Sequence, residues 1–213
     1  VNIETDFAAK NEKFIAYVDE VLEAAFAAGA NDVASIMAGD LDAKRESLVQ
    51  EIGENITVRR AASLETADGF VTSYVHSDNR KAVLVELDKA DEELGRDLAM
   101  HITAINPMVV TSAEVPDDVL AKEREIYSSQ AAESGKPADI VEKMVEGRVR
   151  KFLAEVSLVD QPFDKAGNVK VSQLLKDKGN ACRRFGRFEV GEGIEVEEQD
   201  FAAEVAAQVQ GLD

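Results

Sequence analysis

The single cysteine and the two histidines are the residues of this sequence most able to do covalent chemistry. Cys182 precedes Arg183 and Arg184, and neighbouring guanidinium groups would lower the pKa of a thiol and favour a nucleophilic thiolate. The alternative is that Cys182 is a small apolar residue at a strand edge. His101 lies on the apolar face of a predicted helix and is expected in the core, whereas His76 ends a predicted strand beside a polar turn.

Motifs of the common catalytic and nucleotide-binding sites are absent from the sequence. There is no G-x-x-x-x-G-K-[ST] loop, no G-x-G-x-x-G after a predicted strand and no G-x-S-x-G nucleophile elbow. The histidines and the cysteine do not have the spacing of zinc ligands, and no pair of carboxylates is set apart from its surroundings as an acid/base dyad. We therefore predict a binding protein and not an enzyme, with no cofactor and no bound metal.

The charge and composition of the 213 residues exclude several classes of partner. A formal net charge of −18 argues against direct binding to nucleic-acid phosphates, which needs a basic face. No run approaches the roughly 20 apolar residues of a membrane span, and no secretory signal opens the chain. One cysteine cannot form an internal disulfide, which fits a reducing compartment. We expect a cytoplasmic protein without a membrane partner.

Helical spacing and capping residues predict three helices near the start. Asn11 is a candidate N-cap for a helix that ends near Gly29, and its apolar positions are Phe14, Ile15, Val18, Val21 and Leu22. A short helix is predicted at 33–37, and a third runs from Leu41 to Gly53, a typical C-terminal glycine. A strong helix at 92–105 follows later and is closed by Pro107.

Alternation and β-branched or aromatic residues predict strands at 56–64, 70–76, 82–87 and 184–190, with a return to a sheet at 156–163. The residues Ser77-Asp78-Asn79 have the composition of a hairpin turn. Runs of helix followed by runs of strand indicate an α+β fold. A final amphipathic helix is predicted from Phe201 to Val209.

Residues 116–157 are predicted to form an antiparallel helical hairpin that protrudes from the domain. Two long helical patterns flank S-G-K-P at 134–137, where Gly135 can end one helix and Pro137 suits the first turn of the next. The apolar stripe is narrow. It indicates either a coiled coil packed on itself or a surface that awaits a partner.

The tetrapeptide D-F-A-A occurs at 6–9 and again at 200–203. Phe7 directly follows Thr5 and Asp6 at a predicted strand-to-helix turn. A rigid aromatic exposed at such a turn is typical of the hot spots of protein interfaces. The alternative is a hydrophobic staple, in which Phe7 folds back onto the following helix.

Long motifs along the chain resemble those of the translation elongation factor Ts family. T-D-F-A-A-K-N-E-K-F at 5–14 is similar to the family signature T-D-F-V-A-[KR]-N-x-x-F, with Ala8 in place of the commoner valine. I-G-E-N-I-T-V-R-R at 52–60, S-G-K-P at 134–137 and E-K-M-V-E-G-R at 142–148 also match, as do L-V-D-Q-P-F at 158–163 and V-S-Q-L-L-K at 171–176. The resemblance covers essentially the whole chain in order.

The resemblance implies a guanine-nucleotide exchange factor of translation elongation, with elongation factor Tu as its partner in the GDP-bound and nucleotide-free states. It implies that Thr5, Asp6, Phe7 and Ala8 form the partner-binding loop that dislocates Mg²⁺. In this loop Phe7 would wedge into an apolar cleft of the partner's GTPase domain, Asp6 would orient the loop and Thr5 would support it. The wedge would disturb the partner's Mg²⁺ site and so release GDP. The chain itself would supply no metal ligand and no covalent chemistry.

The resemblance also implies contacts outside this loop. Ile52 and Gly53, at a helix end, would help the first lobe engage the partner, and His76 would lie near the contact surface of the second lobe. Asp200 and Phe201 would begin a C-terminal helix that packs on the GTPase domain elsewhere. The hairpin is associated with factor–factor contacts in the family, so self-association through it stays open beside simple protrusion.

The predicted organisation has four segments. They are a first core lobe at 1–110, a helical coiled-coil hairpin insertion at 111–158, the remainder of a second core lobe at 159–196 and a C-terminal helical module at 197–213. A similar rhythm in residues 52–65 and 145–158 suggests that the two lobes are related. The family's N-terminal helical module has no counterpart here, and we expect residues upstream of Val1. An alternative function is therefore a module that binds elongation factor Tu with little exchange activity.

Overall fold

The structure is a computed structural model that describes residues 1–29 and 31–194. These residues form seven α-helices and two antiparallel sheets, so the predicted α+β class is confirmed. The helices are α1 (Glu12–Ala28), α2 (Val33–Ile36), α3 (Leu41–Ile52), α4 (Glu92–Ile105), α5 (Asp117–Ala132), α6 (Ala138–Val156) and α7 (Val171–Asp177). The strands are β1 (Asn2–Ile3), β2 (Ile56–Thr57), β3 (Phe70–Val75), β4 (Lys81–Leu87) and β5 (Cys182–Glu189). Across the described residues, every helix is too short or too polar to cross a bilayer.

Helix α1 begins and ends at the residues that the sequence predicts. The Asn11 side chain accepts a hydrogen bond from the Lys13 backbone N–H at 2.9 Å, which satisfies one of the free donors of the first turn. At the other end Gly29 adopts a left-handed conformation with φ of 58°, which costs glycine no side-chain clash. Local capping is therefore sufficient to set both ends of this helix.

One side of α1 builds the first hydrophobic core. Phe14, Tyr17 and Val21 recur at helical spacing and are buried together with residues of α2, α3 and β2. Ile15 and Leu22 were predicted on the same apolar set but are exposed. Each follows a buried residue by one position, which turns its side chain about 100° around the helix axis.

Strands β1 and β2 join the start of the chain to the segment after α3. Their antiparallel register pairs Asn2 with Thr57 and Ile3 with Ile56. The strand predicted over 56–64 is wrong beyond Thr57. The following side chains extend instead towards the C-terminal strand, with the Arg60 guanidinium 3.3 Å from a carboxylate oxygen of Glu192, so this stretch runs between the two sheets and is not part of a ladder.

The second sheet has the order β3-β4-β5 and is antiparallel throughout. The predicted hairpin turn between β3 and β4 is confirmed, with Asn79 at a φ of 57°. Helix α4 packs on one face of the sheet and buries Leu98 and Ile102 against β4 residues such as Val85. Strands β3 and β4 precede the predicted helical hairpin and β5 follows it, so this sheet contains segments from both sides of the helical hairpin. The four-segment division stays a prediction.

Helices α5 and α6 form the predicted antiparallel hairpin. Ala131 of α5 is buried with Val145 and Val149 of α6, and an Arg124–Glu146 ion pair at 2.8 Å links the two helices. The narrow apolar stripe therefore packs on itself, which is the first of the two alternatives.

The chain returns to the second core without the strand predicted at 156–163. Helix α6 continues to Val156, and a 3-10 turn covers Leu158–Asp160. The backbone N–H groups of Leu158 and Val159 donate to the carbonyl oxygens of Val109 and Val110. These bonds satisfy the segment locally, with single bridges in place of a strand.

Candidate functional site

The Thr5-Asp6-Phe7 loop connects strand β1 to a 3-10 turn at Ala8–Lys10 that leads into α1. Phe7 is 82% exposed, whereas Ala8 beside it is only 7% exposed. The exposed ring excludes the staple alternative, in which Phe7 would pack onto α1. The loop thus places a large aromatic in solvent next to a residue that is held in the fold.

Two charged side chains flank the exposed ring. The Lys10 ammonium lies 5.8 Å from the centroid of the Phe7 ring and 3.6 Å from a carboxylate oxygen of Asp6. Both Lys10 and Asp6 are exposed, so this pair adds little to stability. It surrounds the aromatic with polar groups, as at the rim of a protein interface.

Thr5 anchors the loop through both its backbone and its side chain. Its backbone N–H donates to Oε2 of Glu54 at 2.9 Å, and its hydroxyl donates to Oε1 of the same carboxylate at 2.6 Å. The backbone N–H groups of Ala8 and Ala9 in turn donate to Oγ1 and to the carbonyl oxygen of Thr5, at 3.2 and 3.1 Å. Thr5 therefore links Glu54 to the two residues that follow the exposed phenylalanine.

The sheet register explains why Glu54 meets Thr5. Ile3 pairs with Ile56, and residue numbers that face each other across an antiparallel pair have a constant sum. Thr5 lies two residues beyond the end of β1 and Glu54 two residues before the start of β2, and the same register, continued past the strands, places them opposite each other. Sequence reasoning missed Glu54, although it lies in the I-G-E-N motif at 52–55, because the register between distant segments is not visible in the sequence.

Ile52 and Gly53 lie next to this anchor. Gly53 ends α3 with φ of 81° and donates its N–H to the Val49 carbonyl oxygen at 2.9 Å. Ile52 is half-buried against the first core. The structure thus brings these two predicted residues close to the Thr5-Asp6-Phe7 loop through their neighbour Glu54.

His76 lies at the end of β3 on the second sheet, apart from the loop. Its Nδ1 is 3.1 Å from the Tyr74 hydroxyl, and its backbone N–H donates to the Lys81 carbonyl oxygen at 2.9 Å. The turn that follows His76 lines a cleft together with Val1 and Asn2 of the first sheet. His76 is therefore near the junction of the two sheets. Asp200 and Phe201 lie outside the described residues.

Cys182 is not arranged as a nucleophile. The thiol is buried in the second core, and this burial raises its pKa to about 12. The neighbouring guanidinium groups are engaged elsewhere, since Arg183 pairs with Asp68 at 2.6 Å and Arg184 with Glu86 at 2.5 Å. The prediction that these arginines would lower the thiol pKa is wrong.

His101 is a core residue, as predicted. Its Nε2 is 2.8 Å from Oε1 of Gln161, and its Nδ1 accepts the Asp164 backbone N–H at 3.1 Å. Desolvation by burial lowers the pKa of this imidazole. In residues 1–29 and 31–194, no three histidine, cysteine, aspartate or glutamate side chains are grouped so that they could hold a metal ion.

Comparison with known proteins identifies one family over nearly the whole chain. A family model described as Elongation factor TS matches residues 4–192. A curated protein named Elongation factor Ts from Hahella chejuensis is 55% identical over 211 residues, which are 99% of this chain and 73% of the relative. Proteins with the same name from Saccharophagus degradans and Methylococcus capsulatus are 54% and 51% identical, over 98% and 99% of this chain and 72% and 73% of their own lengths.

Proposed function

This chain belongs to the elongation factor Ts family of translation elongation factors, and from that premise we propose that it is a guanine-nucleotide exchange factor for elongation factor Tu in the cytoplasm. It binds elongation factor Tu in its GDP form and promotes GDP release. It performs no covalent chemistry and contributes no metal ligand of its own.

The exposed ring of Phe7 is the observation that carries this proposal. An aromatic side chain that is 82% exposed leaves a large apolar area in water, and its burial in a partner would contribute strongly to binding. The loop around it is bonded to the fold through Thr5. A phenylalanine held in this way can enter an apolar cleft without the entropy cost of ordering its loop on binding.

In the proposed mechanism Phe7 wedges into an apolar cleft of the partner's GTPase domain. The wedge displaces the elements that hold Mg²⁺, and loss of the ion removes the charge that neutralises the GDP phosphates. GDP and the exchange factor then weaken each other's binding by the same factor, since coupling between two ligands is reciprocal. A thousandfold change in GDP affinity needs about 4 kcal/mol.

Other surfaces extend this contact in the proposal. Ile52 and Gly53 adjoin the loop and touch the same domain of the partner, while His76 contributes from the second sheet. Asp200 and Phe201 act from the C-terminal segment. The hairpin α5–α6, on which Ile126 and Ile140 remain exposed, is a separate surface that the wedge does not need, and self-association through it stays open beside simple protrusion.

Stopped-flow release of a fluorescent GDP analogue from elongation factor Tu tests the proposal. The chain should raise the release rate, and Phe7→Ala should remove most of the increase. Phe26→Ala is the matched control, since Phe26 is 83% exposed but lies near the far end of α1. Equal rates with Phe7→Ala and with the parent chain would contradict the wedge. Tight binding by the parent chain without a faster release would instead indicate a module that only binds.

A further inference from the structure

We propose that Glu54 is a positioning residue that holds the Thr5-Asp6-Phe7 loop with Phe7 directed to solvent before any partner binds. Its role in exchange rests on the proposed function, in which Phe7 is the wedge. Its role in ordering the loop is a property of this chain alone.

The contact between Glu54 and Thr5 fixes two atoms of the loop at once. One carboxylate oxygen accepts the backbone N–H and the other accepts the hydroxyl, at 2.9 and 2.6 Å. Hydrogen bonds to a charged acceptor are shorter and stronger than neutral ones. A two-point contact of this kind restricts the rotation of Thr5 as well as its position.

Glu54 can act as an anchor because its own backbone is held on both sides. The left-handed Gly53 terminates α3 immediately before it, and Ile56, two residues later, is buried in the first core and paired with Ile3. The carboxylate therefore projects from a short segment between a helix end and a sheet.

Thr5 transmits this constraint to the residues that follow. Its Oγ1 accepts the N–H of Ala8 and its carbonyl oxygen accepts the N–H of Ala9, and Ala8 is buried. In the chain, Phe7 thus lies between Thr5, which is hydrogen-bonded to Glu54, and Ala8, which is buried and hydrogen-bonded to Thr5. Within the loop, Asp6 pairs with Lys10, a neighbour on the same turn, so this pair does not tie the loop to the rest of the fold as Glu54 does.

A loop that is ordered in the free protein avoids a loss of conformational entropy on binding. Without the Glu54 carboxylate, the loop would sample other conformations, and the wedge would have to be ordered as it enters the partner. The loss should therefore appear in the exchange step that uses Phe7.

Loop order can be measured without a partner. The sequence contains no tryptophan, so Phe7→Trp introduces a single reporter whose fluorescence anisotropy decay reports motion of the loop. Adding Glu54→Ala should increase the fast component of the decay, and Glu54→Gln, which keeps one acceptor oxygen, should increase it less. Thr5→Val keeps the backbone N–H bond to Glu54 but removes the hydroxyl, which donates to Glu54 and accepts the N–H of Ala8, so it should also increase the fast component.

The control for this measurement is Glu46→Ala, which removes an exposed carboxylate from the same helix that leads to Glu54. Urea unfolding of each variant checks that the fold is retained. An unchanged anisotropy decay in Glu54→Ala, with the fold intact, would overturn the proposal.

Exchange kinetics test the functional consequence. Glu54→Ala removes two hydrogen bonds to a charged acceptor and should lower the maximal GDP release rate at least about tenfold. It should have no further effect in a Phe7→Ala background. A purely structural role would lower the rate in both backgrounds and would contradict the proposal. If the parent chain does not accelerate release, the proposed function fails, whereas the anisotropy result still decides whether Glu54 orders the loop.

Discussion

Truncation of Phe7 should weaken the coupling between this factor and GDP on elongation factor Tu while leaving the fold intact. The side chain is 82% exposed, and a phenylalanine buries roughly 150–200 Å² when fully covered. At about 25 cal/mol per Å², full coverage of the exposed part by the partner contributes about 3–4 kcal/mol. In the proposed mechanism this contact is made only in the GDP-free complex, so its loss appears in full in the coupling, and Phe7→Ala should reduce the coupling factor on the order of 100- to 1,000-fold.

The coupling factor is the ratio of the GDP dissociation constants of elongation factor Tu with and without a saturating amount of this chain. Phe7→Ala should bring this ratio close to one, and Phe7→Leu should give an intermediate ratio because leucine retains part of the apolar surface. Phe26→Ala, which removes an equally exposed ring from α1, should leave the ratio unchanged.

The same variants should unfold in urea at nearly the parent concentration. Substitutions at exposed positions usually change the free energy of unfolding by less than about 0.5 kcal/mol. An unchanged coupling ratio with Phe7→Ala would refute the wedge. A loss of more than about 1 kcal/mol of stability would show that Phe7 packs within the fold and would refute the premise that its surface is free.

Three further predictions concern burial and packing within the fold. Burial lowers the pKa of His101, so below the unfolded pKa of about 6.5 the unfolded chain binds a proton that the folded chain does not, and the free energy of unfolding should decrease as the pH is lowered, by at most about 1.4 kcal/mol per pH unit. Urea unfolding at pH 7.5 and 5.5 should show a larger loss of stability in the parent chain than in His101→Gln, and equal losses would contradict this. Gly95→Ala places a Cβ 2.4 Å from Cγ2 of Thr72 and should lower the free energy of unfolding by about 1–3 kcal/mol through overpacking. Gly147→Ala, with free space at its Cβ, should raise it by about 0.5–1 kcal/mol through helix propensity, and the opposite ranking in urea unfolding would contradict the packing of α4 against β3. Cys182, with a pKa of about 12, should react with a disulfide reagent only when the chain unfolds, and rapid reaction of the native protein would show that its thiol is accessible.

Short-range features of the sequence were enough to predict several elements. Asn11 and Gly29 bound α1 as expected, and Pro137 immediately precedes α6. Caps and prolines act on backbone groups within a few residues, so the information that sets these boundaries lies within the same segment. The position of Phe7 between a strand and a helical turn was predicted for the same reason, and the family motif added the prediction that it contacts the GTPase domain of the partner.

Only the tertiary structure decided which distant segments meet. It paired β5 with β4, although the helical hairpin α5–α6 lies between them in the chain. It also ended β2 at Thr57 and left Ile15 exposed outside the core. It also placed Glu54 opposite Thr5, although 49 positions separate them. Strand register and burial depend on the packing of the whole chain, and a shift of one residue would reverse every side chain of a strand. The sequence by itself therefore determined the place of Phe7 between a strand and a helical turn and the family of the chain, whereas the fold decided that the ring is exposed and supplied the Glu54 carboxylate that bonds to Thr5 beside it.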